Sequence, residues 1–201
     1  MRTISSFINV TLDGYFEGPN HDISFFKGDD EDNSYFREQS SGRSTLLMGH
    51  RTYDMMKAFW PTEQAKKQNP EVAKYMNEAP KIVVARRPFE PGWHNVRVVS
   101  GDAVDEIGKI KQQSGGPIVT LGSNSLCVSL LEEGLIDEVR VMVNPIALGD
   151  GTPLFTGLGE AARLTLADTR PFKSGKVLLT YKPFTAEQSS RDTHAAAGAT
   201  G

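Results

Sequence analysis

Short apolar blocks alternate along the chain with polar or glycine-rich stretches, and their lengths and spacing set the elements the chain predicts. Residues 3–10 place Ile4, Phe7, Ile8 and Val10 among small polar side chains and stop at Leu12-Asp13-Gly14, a first strand running into a turn. The stretch 15–26 carries Gly18, Pro19 and an Asn-His-Asp cluster, so it reads as an irregular excursion bringing Phe16, Phe25 and Phe26 towards the strand ends. The acidic run 29–32 opens a helix over 33–39 and reads as its solvated start, since carboxylates favour the positive end of a helix. An apolar run from Thr45 to Met48 ends at Gly49, a buried strand followed by a helix over 52–59 that Trp60-Pro61 stops. A polar spacer follows over 62–69, and Pro70 opens a short helix to Met76.

The second half repeats this grammar. Strands are predicted over 81–85 and 96–99 with Pro91-Gly92 turning between them, and Val104, Ile107 and Ile110 recur at helical spacing within 103–112. Residues 118–121 form a strand ending at Gly122-Ser123-Asn124-Ser125, followed by an apolar helix over 126–133. Residues 138–143 alternate, with Val139, Val141 and Val143 on one face and Arg140 on the other. Strands near 163–169 and 177–181, parted by Lys173-Ser174-Gly175-Lys176, read as a hairpin. Strands alternating with helices before a closing hairpin imply an α/β fold, a mostly parallel central sheet flanked by helices with an antiparallel C-terminal hairpin. One domain is expected over 1–184, and residues 185–201, poor in large apolar groups, as a flexible tail.

Composition adds exclusions. With 38% hydrophobic and 23% charged residues the chain is an ordinary globular one, and a net charge of −3 gives no field to gather nucleic acid or an anionic membrane. No signal segment or run approaching the roughly 20 apolar residues of a membrane span is found. The single cysteine, Cys127, lies in an apolar stretch as a small buried side chain, which fits a reducing cytoplasm. The four histidines His21, His50, His94 and His194 show no metal-ligand spacing, and neither a Ser-His-Asp arrangement nor a phosphate-loop signature is present.

Two strand–turn–helix units carry the candidate chemistry. At Gly49-His50-Arg51-Thr52 the first N–H groups of a helix are aligned with its positive dipole end, where an anion such as a phosphate docks. A plain connection with an exposed arginine is the alternative. The turn Gly122–Ser125 is of the same type, with Ser123 or Asn124 placed to cap the helix or hydrogen-bond a phosphate.

Several motifs, in order, are similar to those of the dihydrofolate reductase-like family, in its branch containing the reductase domain of riboflavin biosynthesis. They are T-L-D-G from Thr11, L-L-M-G-H-R-T-Y from Leu46, K-I-V-V-A-R from Lys81, V-T-L-G-S-N-S from Val119, I-D-E-V-R-V from Ile136 and G-D-G-T-P-L-F from Gly149. The resemblance extends over residues 2–183. It implies that the turns at Gly49, His50, Arg51 and Thr52 and at Gly122, Ser123, Asn124 and Ser125 hold the phosphates of NADPH, with Arg86 and Arg87 beside the adenosine. Arg51, Arg86 and Arg87 are then available to pair with a 2′-phosphate through planar contacts. The family carries Arg or Lys directly after the first glycine, where this chain has His50.

By the same resemblance, Asn9 and the stretch from Thr11 to Gly14 line the nicotinamide, with Asp13 a candidate catalytic carboxylate. Asp22 is the nearest match to the acidic residue that holds a pterin ring in the folate enzymes. A carboxylate between Phe25 and Phe26 would have a raised pKa, although Asp22 reads equally as a turn-former. The expected activity is NADPH-dependent hydride transfer to a C=N or C=O bond of a small pteridine-, pyrimidine- or ribosylamine-type substrate, with no metal. A non-catalytic nucleotide-binding protein on the same fold is the alternative, and pairing as a homodimer is expected through 138–143 or the region of Leu154-Phe155.

Overall fold

The computed structural model describes residues 1–40 and 43–184. In chain order the elements are β1 (Ile4–Thr11), β2 (Tyr15–Glu17), a 3-10 turn (Pro19–His21), α1 (Asp30–Ser40), β3 (Thr45–Gly49), α2 (His50–Phe59), α3 (Glu63–Gln68), α4 (Pro70–Glu78), β4 (Lys81–Ala85), β5 (Val96–Ser100), α5 (Ala103–Gln112), β6 (Ile118–Leu121), α6 (Asn124–Glu132), β7 (Glu138–Asn144), β8 (Thr152–Pro153), β9 (Leu164–Pro171) and β10 (Val177–Pro183). Eight strands make one sheet in the order β5-β4-β3-β6-β1-β7-β10-β9. The first six of that order pair in parallel, and β10 joins β7 and β9 antiparallel as the closing hairpin. The α/β fold expected from the alternation is the one observed.

Period-two alternation divides the strands between two cores. Ile4, Ile8, Leu47, Ile118 and Val139 face α5 and α6, where Ile107, Ile110, Leu126, Cys127 and Leu130 bury against them. On the opposite face Leu46, Met48 and Val83 pack with Tyr53 of α2, Val72 and Met76 of α4, and Trp93. A smaller cluster joins Phe7, Met142 and Leu178 to Tyr35 of α1 and to Phe172. Burying such side chains stabilises by roughly 1.5–3 kcal/mol each.

The structure adds what periodicity did not carry. The polar spacer contains α3, whose Thr62 cap accepts the Ala65 amide at 3.2 Å and whose single buried residue is Ala65. With one apolar anchor in six residues it has no periodic signal to read. Within the irregular excursion, β2 pairs antiparallel with β8 (Tyr15 with Pro153, Glu17 with Thr152), fixing the segment over the end of β1. β7 lies inside the sheet with Val139 and Val141 buried, so the expected pairing surface at 138–143 is instead core, and the edges of the sheet are β5 and β9. The tail expected over 185–201 lies outside the described residues.

Candidate active site

β3 and β6 are parallel neighbours, pairing Thr45 with Ile118 and Leu47 with Thr120, so the two glycine-ended turns emerge side by side at the carboxyl ends of the parallel strands. Gly122 and Ser123 both adopt left-handed backbone, with φ of 60° and 59°. That pair of dihedrals turns the chain at once from β6 into α6 and aims the Ser123 side chain sideways. Ser123 therefore does not cap its own helix. Its Oγ accepts the Gly49 amide at 2.8 Å and lies 2.8 Å from Thr52 Oγ1, joining the two turns. Gly49, the N-cap of α2, likewise has no side-chain cap bond. Two helix starts without side-chain caps thus face one cleft, which concentrates the partial positive charge of both.

The cleft is a cavity of about 1730 Å³, floored in part by Phe7, Asn9, Val119 and Leu121. It gathers Asn9, Arg51, Thr52, Gly122 and Ser123 from the expected cofactor residues, together with two residues the sequence did not single out, Glu17 and His21. Glu17, at the end of β2, has a side chain only 4% exposed. Its carboxylate accepts from Arg51 Nη2 at 2.5 Å, His21 Nδ1 at 2.7 Å and Thr152 Oγ1 at 3.0 Å. A carboxylate bonded at Nδ1 fixes that nitrogen as the donor, which leaves Nε2 of a largely exposed imidazole for a ligand. His21 also holds left-handed backbone, φ 63°, next to Asn20 at φ 56°. Strain of this kind is typical of functional sites.

Other expected residues lie elsewhere or are otherwise engaged. Arg51, expected as a free cation for a phosphate, is ion-paired to Glu17. His50 stacks on Phe89 with centroids 4.0 Å apart and sits 3.7 Å from Asp54. Asn124 is buried, and its amide bonds to Phe155 N and Thr156 O rather than capping α6 or facing the cleft. Ser125 is exposed one position further along, outside the cavity lining. Arg86 and Arg87 are exposed just past the end of β4, beside β3. Asn9 accepts from Asn144 Nδ2 at 3.1 Å, and that buried amide also reaches the carbonyls of Val10 and Met142.

Neither candidate catalytic aspartate fits its expected place. Asp22 is exposed and accepts the Ser24 amide at 2.8 Å; that bond holds its carboxyl below the ordinary value, the reverse of the expected rise. Phe25 and Phe26 pack edge-to-face on each other, so Asp22 is the turn-former. Asp13 is held low by the Thr11 hydroxyl and the Gly149 amide, and it ties the 11–14 turn to Leu148 and Gly149. Gly14, φ 86°, closes that turn. Cys127 is buried with its thiol pushed up to about 11, an inert packing group.

The family model for the RibD C-terminal domain matches residues 2–178. The chain belongs to that family. The uncharacterised protein YyaP of Bacillus subtilis (strain 168) is 28% identical over 180 residues, which covers 90% of this chain and 94% of YyaP. Among solved structures, a protein of Shewanella sp. PV-4 named for riboflavin biosynthesis superposes with a TM-score of 0.69 at 22% identity, covering 91% of this chain and 99% of that one. Dihydrofolate reductase from Enterococcus faecalis, complexed with NADP(H) and RAB-propyl, superposes with a TM-score of 0.58 at 14% identity, covering 91% and 97%. The dihydrofolate reductase-like fold of the family is thus the fold of this chain. No helix among the described residues is long and apolar enough to cross a membrane.

Proposed function

We propose that the chain is an NADPH-dependent reductase that delivers hydride to a C=N or C=O bond of a small pteridine-, pyrimidine- or ribosylamine-type substrate. The observation that carries this reading is the junction at Ser123, which holds two helix starts without side-chain caps against one cleft. Family membership and the NADP(H)-bound neighbour support a reductase in general.

The residues present fit a dinucleotide. The missing Cβ of Gly49 makes room for Ser123 Oγ at the junction of the two turns, the amides of the α2 and α6 starts donate to a phosphate there, and Arg86 and Arg87 supply charge for a 2′-phosphate. When bound, the reduced nicotinamide supplies the hydride. In its protonated form, with Nδ1–H held by Glu17, His21 gives up the proton on Nε2 and leaves a neutral ring that takes a replacement from solvent. Arg51 holds the Glu17 side chain in place.

As parts of the same reading, the chain is cytoplasmic and pairs with a second copy through the exposed strand β9, where Leu166 is half exposed. Titrating NADPH and NADH against tryptophan emission, then following loss of the reduced nicotinamide absorbance with dihydrofolate and ribosylaminopyrimidines, tests the main claim. Tighter binding of NADPH with turnover supports it; absence of dinucleotide binding overturns it. Binding without turnover favours a non-catalytic nucleotide-binding protein. Sedimentation of a monomer would remove the pairing.

A further inference from the structure

The inner half of the cleft has a chemistry of its own. α2 turns Arg51, Thr52, Met55, Met56 and Phe59 towards the cavity, with Trp60 just beyond its end, and past Arg51 and Thr52 at the dinucleotide end that face is apolar. Such a stripe ordinarily packs into a core; here it borders empty space. Six large hydrophobic side chains are exposed among the described residues, and three of them, Ile23, Met55 (42%) and Phe59 (39%), line this cavity. Apolar exposure concentrated at a concave site marks a place where a ligand is desolvated. Phe36 of α1, edge-on to Phe7 at 5.3 Å, and Trp60, edge-on to Phe59 at 5.1 Å, add aromatic surface, and the methionines adapt to shape.

The charged side chains in the lining argue against an anionic ligand there. Arg51 is paired to the Glu17 carboxylate, and Arg140 is paired to Glu138 at 2.5 Å and to Gln39 at 2.8 Å. Lys182 follows Tyr181, which pairs with Val139 next to the Ser5 level of β1, so it lies near the start of β1, away from Asn9 and the turns. The lining also holds the neutral amides of Gln68, Asn33 and Asn69, the last donating to Asn33 Oδ1, and Gln68 is suited to hydrogen bonds with ring carbonyls.

We infer that this half-cleft takes an uncharged, planar, fused-ring substrate bearing the reducible carbonyl or imine and lacking a phosphorylated sugar. The inference rests on the reductase reading for the dinucleotide in the outer half, and narrows the substrate within it. Two fluorescent probes share one ring system and separate these chemistries: lumiflavin is an uncharged tricycle, and flavin mononucleotide is the same tricycle with a phosphorylated chain. With the full chain saturated by oxidised NADP, lumiflavin is expected to bind at least about tenfold more tightly. Met55→Asp and Phe59→Asp, at side chains exposed enough to leave folding intact, should each weaken lumiflavin about tenfold while NADP affinity stays within about twofold. Equal or tighter binding of flavin mononucleotide, failure of both probes to bind, or indifference of lumiflavin to both substitutions would overturn the inference. If lumiflavin binds as expected while no dinucleotide binds, the reductase reading fails and the apolar chamber stands. If NADP binds and lumiflavin does not, only the substrate class falls.

Discussion

The Gly49 amide donates to Ser123 Oγ at 2.8 Å across 74 positions of sequence, so two turns from separate strand–helix units act as one. A Cβ on residue 49 would stand 2.9 Å from that same oxygen, closer than such atoms tolerate. Gly49→Ala must therefore separate the turns. It should weaken NADPH by about tenfold, on the order of 1.4 kcal/mol. Adding Ser123→Gly, at a backbone φ of 59° that glycine adopts freely, removes the clash and should recover part of the loss. Fluorescence titration of the three proteins decides it; unaltered affinity in Gly49→Ala would break the link between this junction and the dinucleotide.

The arginines should behave differently from one another. Arg86 is exposed beside the end of β3, so Arg86→Ala should weaken NADPH by about 1.5–3 kcal/mol, the range of a hydrogen bond to a charged group, and leave NADH nearly unaltered. Arg51→Ala instead leaves the buried Glu17 carboxylate without its cationic partner. With Arg51 itself 57% exposed, the loss is about 1–2 kcal/mol of folding stability, read by urea unfolding, with the NADPH-to-NADH preference retained. Selective loss of NADPH in Arg51→Ala would return that residue to the 2′-phosphate.

These assignments divide along what a sequence can carry. The sheet was legible because each parallel strand is an apolar run closed by a turn residue, and the glycines at 49 and 122 marked where two of them end. Glu17 was not legible. It is one carboxylate in a loop rich in glycine, proline and aromatic residues, and its role comes from Arg51 and Thr152, which are 34 and 135 positions away. Asp22 is the nearest match in order to the carboxylate that holds a pterin ring in the folate enzymes and lies three residues before Phe25, but proximity in sequence does not aim a side chain, and its carboxylate accepts from Ser24 instead. Asn124 has the residue type for a cap, yet the left-handed turn before it directs its amide to the 155–156 loop.

His21 is the residue on which turnover should depend once a substrate is in hand. Its Nδ1 is bound to Glu17, and its ring is exposed on the cleft. His21→Gln keeps a polar group but no transferable proton at that position, so kcat should fall by about 10²-fold or more while NADPH affinity holds. Glu17→Gln, which loosens the imidazole without removing it, should fall less. A kcat unmoved by His21→Gln would assign the proton to solvent.

Lys81 tests the energetics of the fold far from the cleft. It is 1% exposed at the start of β4, with Nζ donating to the carbonyls of Ala79 at 2.8 Å, Asn77 at 3.1 Å and His94 at 3.3 Å, 4.4 Å above the Trp93 ring. Burial pushes its pKa down to about 8 from 10.5. Between those values the unfolded chain holds a proton on Lys81 that the folded chain has released, so raising the pH through this window stabilises the fold. Below about pH 8 both states are protonated and the contribution is flat at its least favourable value. Urea unfolding should therefore show stability climbing by on the order of 1–3 kcal/mol from about pH 8 to 10 relative to a Lys81→Met chain, which lacks the titrating group. The same substitution leaves three carbonyls without their donor and should lower stability at neutral pH by about 1–3 kcal/mol. Parallel stability curves for the two proteins across that window would mean that the three carbonyls hold the ammonium as well as water does.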